Sequence, residues 1–179
     1  MCKAIPLEIL SIMENKNDRP LVSFIVTTYN LPTTLLCECL QSILSLSLSK
    51  EEREIIVVDD GSEVSPLNDL VELRDKIVYV RQRNKGLSEA RNMGLVCAQG
   101  KFIQFVDGDD YLIQAPYEHC LDIARYKDAD IILFHETEEE QPEVPFECNG
   151  PMTGSAYMHQ YNLRASACGY LFRANILGN

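Results

Sequence analysis

The chain has 179 residues, of which 46% are hydrophobic and 24% are charged, an ordinary balance for one folded domain. Its 16 basic residues are outnumbered by 27 acidic ones, which gives a net charge of −11. This charge disfavours a protein that coats a nucleic-acid backbone, because phosphate binding there requires cationic side chains. A phosphorylated small molecule stays compatible with the charge, since a bound metal ion reverses the local sign.

Residues 1–19 are predicted to form an N-terminal extension. They lack the long apolar core and cleavage site of a signal peptide, and no apolar run in the chain is long enough to span a bilayer. Spaced apolar residues from Ile5 to Met13 predict a short amphipathic helix, either packed on the domain or in peripheral contact with a membrane. The seven cysteines show no zinc-ligand spacing, so a reducing cytosol is the simplest compartment.

From residue 20 the chain alternates between strand-like and helix-like segments. Buried-strand patterns are predicted over residues 21–28, 54–58, 76–81, 102–106 and 130–134. A helix is predicted after Pro32, a short one over 66–74, one capped by Ser88 and ended by Gly100, and one with Pro116 at its first position. This succession predicts an α/β fold with a doubly wound, mostly parallel sheet, right-handed crossovers and helices on both faces.

Acidic clusters follow two of the predicted strands. Asp59 and Asp60 follow the predicted strand over residues 54–58. Asp107, Asp109 and Asp110 follow the predicted strand over residues 102–106. Strand interiors disfavour Asp, so these side chains are expected just beyond the carboxyl ends, where ligands of open α/β sheets bind. Crowded carboxylates favour a divalent cation, Mn²⁺ or Mg²⁺, with phosphate oxygens. The alternative for each cluster is an ordinary Asp-Gly turn.

Residues 84–94 couple a glycine turn to the start of a helix. The amino end of that helix offers N–H groups to an anion, and Arg91, expected in its first turn, could bind a phosphate or a base. The alternative is a surface arginine on a capped helix.

Four motifs occur in order at residues 23–30, 54–62, 84–94 and 105–110. Together they resemble the donor-binding half of family 2 glycosyltransferases with the GT-A fold, over residues 20–135. The resemblance implies transfer of a sugar from a nucleotide-sugar, most often a UDP-sugar, with inversion at the anomeric carbon. The expected acceptor is a saccharide or a lipid-linked molecule, in polysaccharide or glycan biosynthesis. The expected location is the cytoplasm, with the cytoplasmic face of the membrane as the alternative.

The resemblance also implies roles on the nucleoside side of the donor. Thr27 and Tyr29 would line the nucleobase pocket, and Asp60 would bond the uracil edge with Asp59 beside it.

On the phosphate and sugar side, Asp107 would meet the ribose and, with Asp109, the metal ion. Asp110 would support the sugar or the turn, whereas Gly86 and Arg91 would shape the donor side.

The resemblance thins after residue 135. Residues 138–145 are predicted to form a loop, and 136–179 to be an incomplete acceptor-side region. No Asp or Glu follows Glu147, so no general base is assigned, and the sequence is expected to represent a truncated enzyme. The alternative is a donor-binding or regulatory module without turnover.

Three other classes fit less well. A haloacid-dehalogenase phosphatase would carry the Asp-x-Asp motif on its first strand, and a response-regulator receiver would carry an acidic pair there. A dinucleotide-binding dehydrogenase would show G-x-G-x-x-G after its first strand, and this chain does not.

Overall fold

A computed structural model describes residues 19–134, 137, 150–162 and 165–178. Within these residues, six strands form one sheet in the order β3-β2-β1-β4-β6-β5. The strands are β1 (Val22–Thr28), β2 (Arg53–Asp59), β3 (Val78–Arg81), β4 (Phe102–Asp107), β5 (Ile131–Leu133) and β6 (Tyr170–Arg173). The helices are α1 (Thr33–Leu44), α2 (Leu87–Cys97), α3 (Gln114–Tyr126) and α4 (Gly154–Gln160), with short 3-10 helices at Pro66–Asn68, Val71–Lys76 and Ala174–Leu177.

The sheet has a parallel part and an antiparallel part. β1 pairs in parallel with β2 and β4, and β2 pairs in parallel with β3. β6 lies between β4 and β5 and runs antiparallel to both. The predicted α/β class is confirmed, whereas β6, which separates the fourth and fifth predicted strands, was not predicted.

Helices cover both faces of the sheet, as predicted. All seven residues of β1 are buried, and alternate side chains point to opposite faces. Phe24 and Val26 join the core cluster that contains residues of α1 and α3, whereas Ile25 joins the cluster that contains Ala90 of α2. The centre of the sheet is therefore enclosed by helices on both faces.

Several predicted helix ends differ from the structure. The N-cap of α2 is Gly86, with φ 90°, so Ser88 lies inside the helix and does not cap it. The same helix ends at Cys97, and Ala98, not Gly100, follows it in an extended conformation. α3 begins at Gln114, so Pro116 is its third residue and not its first. Proline is tolerated there because the N–H groups of the first turn have no intrahelical acceptor.

The predicted helix over 66–74 consists of two 3-10 helices. Among the described residues, no helix has the length and apolar composition that a bilayer crossing requires. The predicted N-terminal helix and the predicted loop at 138–145 lie outside the described residues.

Candidate functional site

Both acidic motifs lie at the carboxyl edge of the parallel strands. In the strand register, Thr28 of β1 is opposite Asp59 of β2, and Thr27 is opposite Asp107 of β4. The two motifs therefore flank the end of β1, one on each side, and their strands are separated by β1 rather than adjacent. A crevice at this edge is the usual ligand position in open α/β sheets.

Asp59 is fully buried at the end of β2. Its carboxylate accepts hydrogen bonds from the Ser62 backbone N–H (2.8 Å) and the Tyr79 hydroxyl (2.7 Å), and Arg81 lies 3.4 Å away. Burial acts to raise the pKa of Asp59, but these hydrogen bonds and the Arg81 charge outweigh it, so the pKa lies below its usual value. Asp59 is an ionised anchor of the turn after β2.

Asp60 is nearly buried and holds the loop that precedes α2. Its Oδ1 accepts hydrogen bonds from the Gln82 side-chain amide (2.7 Å) and the Lys85 backbone N–H (2.9 Å), and its Oδ2 accepts one from the Gly86 backbone N–H (2.8 Å). Burial acts to raise the pKa of Asp60, and the hydrogen bonds together with the Lys85 charge lower it below its usual value. The chain's own carboxylate thus occupies part of the anion site predicted at the start of α2.

Asp107 is held between β1 and α2. The guanidinium of Arg91 donates to its Oδ1 at 2.8 Å, and the Thr27 hydroxyl donates to the same oxygen at 3.3 Å. Arg91 is the fifth residue of α2, so it lies in the second turn rather than the first. Its guanidinium also lies over the Phe105 ring, 5.8 Å from the centroid. The structure therefore brings together three residues predicted from different motifs.

The turn after β4 is tightly packed. The Gly108 backbone N–H donates to the Thr27 carbonyl at 2.9 Å, and a Cβ on Gly108 would lie 2.8 Å from that oxygen. Asp109 and Asp110 are exposed on this turn. Beneath it, burial and then the charges of the three aspartates raise the pKa of Cys39 to about 12, so its thiol is neutral.

A cation site can be formed on this turn. Ligand atoms of Asp107, Asp110 and Cys168 lie within 4.8 Å of one another. Ions such as Mn²⁺ and Mg²⁺ bind carboxylate oxygens, and a thiolate is acceptable to the softer divalent metals, so this donor set fits a divalent ion. The structure does not bring Asp109, the other predicted ligand, into this group.

The remaining predicted residues also lie at this edge. Tyr29 follows β1 directly, with 51% of its surface exposed. Asn30, which has a positive φ of 48°, donates through its backbone N–H to the Ser62 hydroxyl and accepts from the Glu63 N–H. These bonds join the loop after β1 to the loop after β2.

Sequence reasoning missed several residues that shape the site. Gln82 and Tyr79 bind the two aspartates after β2, and Cys168 lies beside Asp107 and Arg91. No local pattern marks these residues, because each contact joins segments that are distant in the chain.

Residues 23–155, more than half of the chain, match the family described as "Glycosyl transferase family 2". The Bacillus subtilis protein named "Uncharacterized glycosyltransferase EpsJ" is 36% identical over 134 residues, which are 70% of this chain and 38% of that protein.

Two solved structures of S. aureus TarS 1–349 resemble the fold. The first has a TM-score of 0.71 at 26% identity and covers 87% of this chain and 48% of that chain. The second, in complex with UDP-GlcNAc, has a TM-score of 0.68 at 26% identity and covers 87% of this chain and 46% of that chain. The chain thus spans less than half the length of each of these relatives.

Proposed function

The chain belongs to glycosyl transferase family 2 and has the GT-A fold, and from that premise we propose that it binds a nucleotide-sugar donor for metal-assisted, inverting sugar transfer. The observation that carries this proposal is that Asp60 and Asp107, at the ends of the strands on either side of β1, both contact α2 or its N-cap, through Gly86 and Arg91. Acids from two motifs thereby lie at the same end of the sheet, beside the same helix. Because the TarS structure with UDP-GlcNAc has the same fold, a UDP-sugar is the first donor to test.

We propose that the nucleobase binds beside Thr27 and Tyr29. The half-exposed Tyr29 ring offers a flat face on which a base can stack. Asp60 is proposed to bond the uracil edge, and Asp59 to support it. Since both Asp60 oxygens already accept hydrogen bonds from the 82–86 loop, a base N–H would use a remaining lone pair. Donor binding therefore depends on the loop that Asp60 holds.

The diphosphate is proposed to lie between Asp107 and the start of α2. Asp107 and Asp109 would hold Mn²⁺ or Mg²⁺, which supplies Lewis-acid stabilisation of the leaving diphosphate when bound. Arg91 would add a second positive charge, and Gly86 would allow the backbone to approach the donor. Asp110 would support the sugar or the turn.

We further propose that residues 20–135 form the nucleotide-sugar domain and that 136–179 belong to the acceptor side. The acceptor is proposed to be a saccharide or a lipid-linked molecule, in polysaccharide or glycan biosynthesis. The proposed location is the cytoplasm, with the cytoplasmic face of the membrane as the alternative.

A second candidate is donor binding without turnover. Residues 148–179 contain no Asp or Glu, so this region supplies no carboxylate as general base. A positioned base contributes about 10²–10⁴ in rate. Binding without release of UDP would support this candidate.

Calorimetric titration of the tag-free protein with UDP, UDP-GlcNAc and GDP, each with Mn²⁺ and with a chelator, tests the proposal. We expect saturable, Mn²⁺-dependent binding of a nucleotide. If none of these nucleotides binds, the proposal is contradicted. UDP release with an added saccharide acceptor then separates the enzyme from the binding module.

A further inference from the structure

We infer that Cys168 is a ligand of the divalent ion at the donor site, together with Asp107 and Asp110, at the position next to the Arg91 guanidinium. This inference rests on the proposed function, because it specifies the metal chemistry of the same site. It differs from the predicted Asp107–Asp109 pair in having Asp110 in place of Asp109 and in adding a sulfur donor from the segment before β6, beyond the four family motifs.

The spacing of the three side chains suits one ion. Their ligand atoms all lie within 4.8 Å of one another. Metal–ligand distances are about 2.0–2.6 Å, so two ligands of one ion lie up to about 5 Å apart. Cys168 is only 8% exposed and lies two residues before the start of β6, which pairs with β4. The antiparallel pairing therefore brings this thiol to the carboxyl end of the strand that carries Asp107.

The segment that carries Cys168 is fixed by buried hydrogen bonds. The side-chain amide of Gln104, a fully buried residue of β4, donates to the Cys168 carbonyl at 2.7 Å. The Tyr117 hydroxyl donates to the Gln104 side-chain oxygen at 3.1 Å. Because this network holds the backbone of Cys168, its thiol is positioned before any ion arrives.

Arg91 marks the place for a positive charge. A single atom, Nη2, lies 2.8 Å from Asp107 Oδ1 and 3.4 Å from Cys168 Sγ, two of the three candidate ligands. The Nε of Arg91 is buried and makes no hydrogen bond in the described part of the chain. The guanidinium is thus incompletely satisfied in this position, and a divalent ion would compete with it for the same two ligands.

Two consequences follow from a sulfur ligand and a competing arginine. Thiolates select softer divalent metals over Mg²⁺, so removal of the sulfur should weaken Co²⁺ binding much more than Mg²⁺ binding. Removal of the Arg91 charge should strengthen metal binding in the absence of nucleotide, although it weakens nucleotide binding.

Titration of the tag-free protein with Co²⁺ tests the inference, because a Co²⁺–thiolate bond gives an ultraviolet charge-transfer band that oxygen ligands do not give. Cys168→Ser should lose this band. Its Co²⁺ affinity should fall by about tenfold or more, with the Mg²⁺ affinity little changed. Arg91→Gln should bind Co²⁺ severalfold more tightly. The control Cys97→Ser, which alters a half-buried thiol on α2 outside this group, should keep the band.

A band that persists in Cys168→Ser, or Co²⁺ binding without a thiolate band, would overturn the inference. If UDP binding still required metal in that case, the proposed function would stand and only the sulfur ligand would fall. If the unaltered protein does not bind UDP with any of the metals tested, the proposed function itself is wrong.

Discussion

The Oδ2 atom of Asp60 accepts a hydrogen bond of 2.8 Å from the backbone N–H of Gly86, 26 residues further along the chain. Gly86 is the N-cap of α2 and has a φ of 90°, which favours glycine. One carboxylate at the end of β2 thus fixes the start of the helix that carries Arg91. The two halves of the proposed donor site are coupled through this contact.

Asp60→Asn should destabilise the fold and weaken nucleotide binding together. The asparagine amide would direct an N–H group toward the N–H donors of the 82–86 loop, so a part-buried hydrogen bond to a charged group would be lost, and such bonds are worth about 1.5–3 kcal/mol. Urea unfolding and calorimetric UDP titration measure the two effects. Asp75→Asn, a substitution at an exposed position, is the matched control and should change neither. Unchanged stability in Asp60→Asn would contradict the anchoring role.

The stability of the protein should fall in acid because of the aspartates after β2. The pKa values of Asp59 and Asp60 in the folded state lie below the ordinary value of 3.8. The unfolded state therefore binds more protons, so this stabilisation is complete above about pH 4 and is lost as the pH falls through the lowered values. Urea unfolding from about pH 7 to about pH 3 measures the loss. Asp59→Asn should be less stable at neutral pH and show a shallower acid slope, and an equal slope would count against this explanation.

β1, β2 and β4 could be predicted because burial on both faces leaves a mostly continuous apolar run. β6 could not be predicted in this way, since its Tyr170–Arg173 segment is short and its partner β4 lies almost 70 residues earlier. Ser88 was a reasonable cap by residue type, but Gly86, which Asp60 holds, is the N-cap, and the helix begins at Leu87, one residue before Ser88.

The location of the candidate site could be predicted, but its internal contacts could not. Acids after two buried strands indicated the carboxyl edge, because parallel strands end together there. The contacts of Asp60 with Gln82 and of Arg91 with Cys168 depend on side-chain positions across 22 and 77 residues. No residue pattern encodes such distances.

Gly94→Ala should destabilise the protein by moving α2 away from the sheet. A Cβ at this position would lie 2.2 Å from Cγ2 of Ile25, which is fully buried and β-branched and so cannot turn aside easily. Overpacking of this kind costs about 1–3 kcal/mol. The thermal midpoint should fall, and Arg91, on the same helix, should bind nucleotide less well.

A double-mutant cycle with Ile25→Ala checks this cause. The alanine removes the methyl that Gly94→Ala would meet, so the free energies of unfolding of the two single variants should not add, and the double variant should be more stable than their sum. If the changes in the free energy of unfolding simply add, Gly94→Ala does not act through the contact between α2 and Ile25.

If Asp107 and Asp109 hold the metal ion, as the sequence predicts, Asp109→Asn should lower the metal-dependent UDP affinity by about tenfold or more while the fold stays intact. Asp109 is exposed on the turn after β4, so its carboxylate is replaced at little structural cost. Asp110→Asn is the informative comparison, because Asp110 rather than Asp109 lies in the group with Asp107 and Cys168. Calorimetric UDP titration with and without Mn²⁺, with the thermal midpoint as the folding check, measures both. A larger loss of UDP affinity in Asp109→Asn would favour the Asp107–Asp109 pair predicted from the sequence. A larger loss in Asp110→Asn would favour the group with Asp107 and Cys168. No loss of affinity in either variant would exclude both aspartates from metal binding.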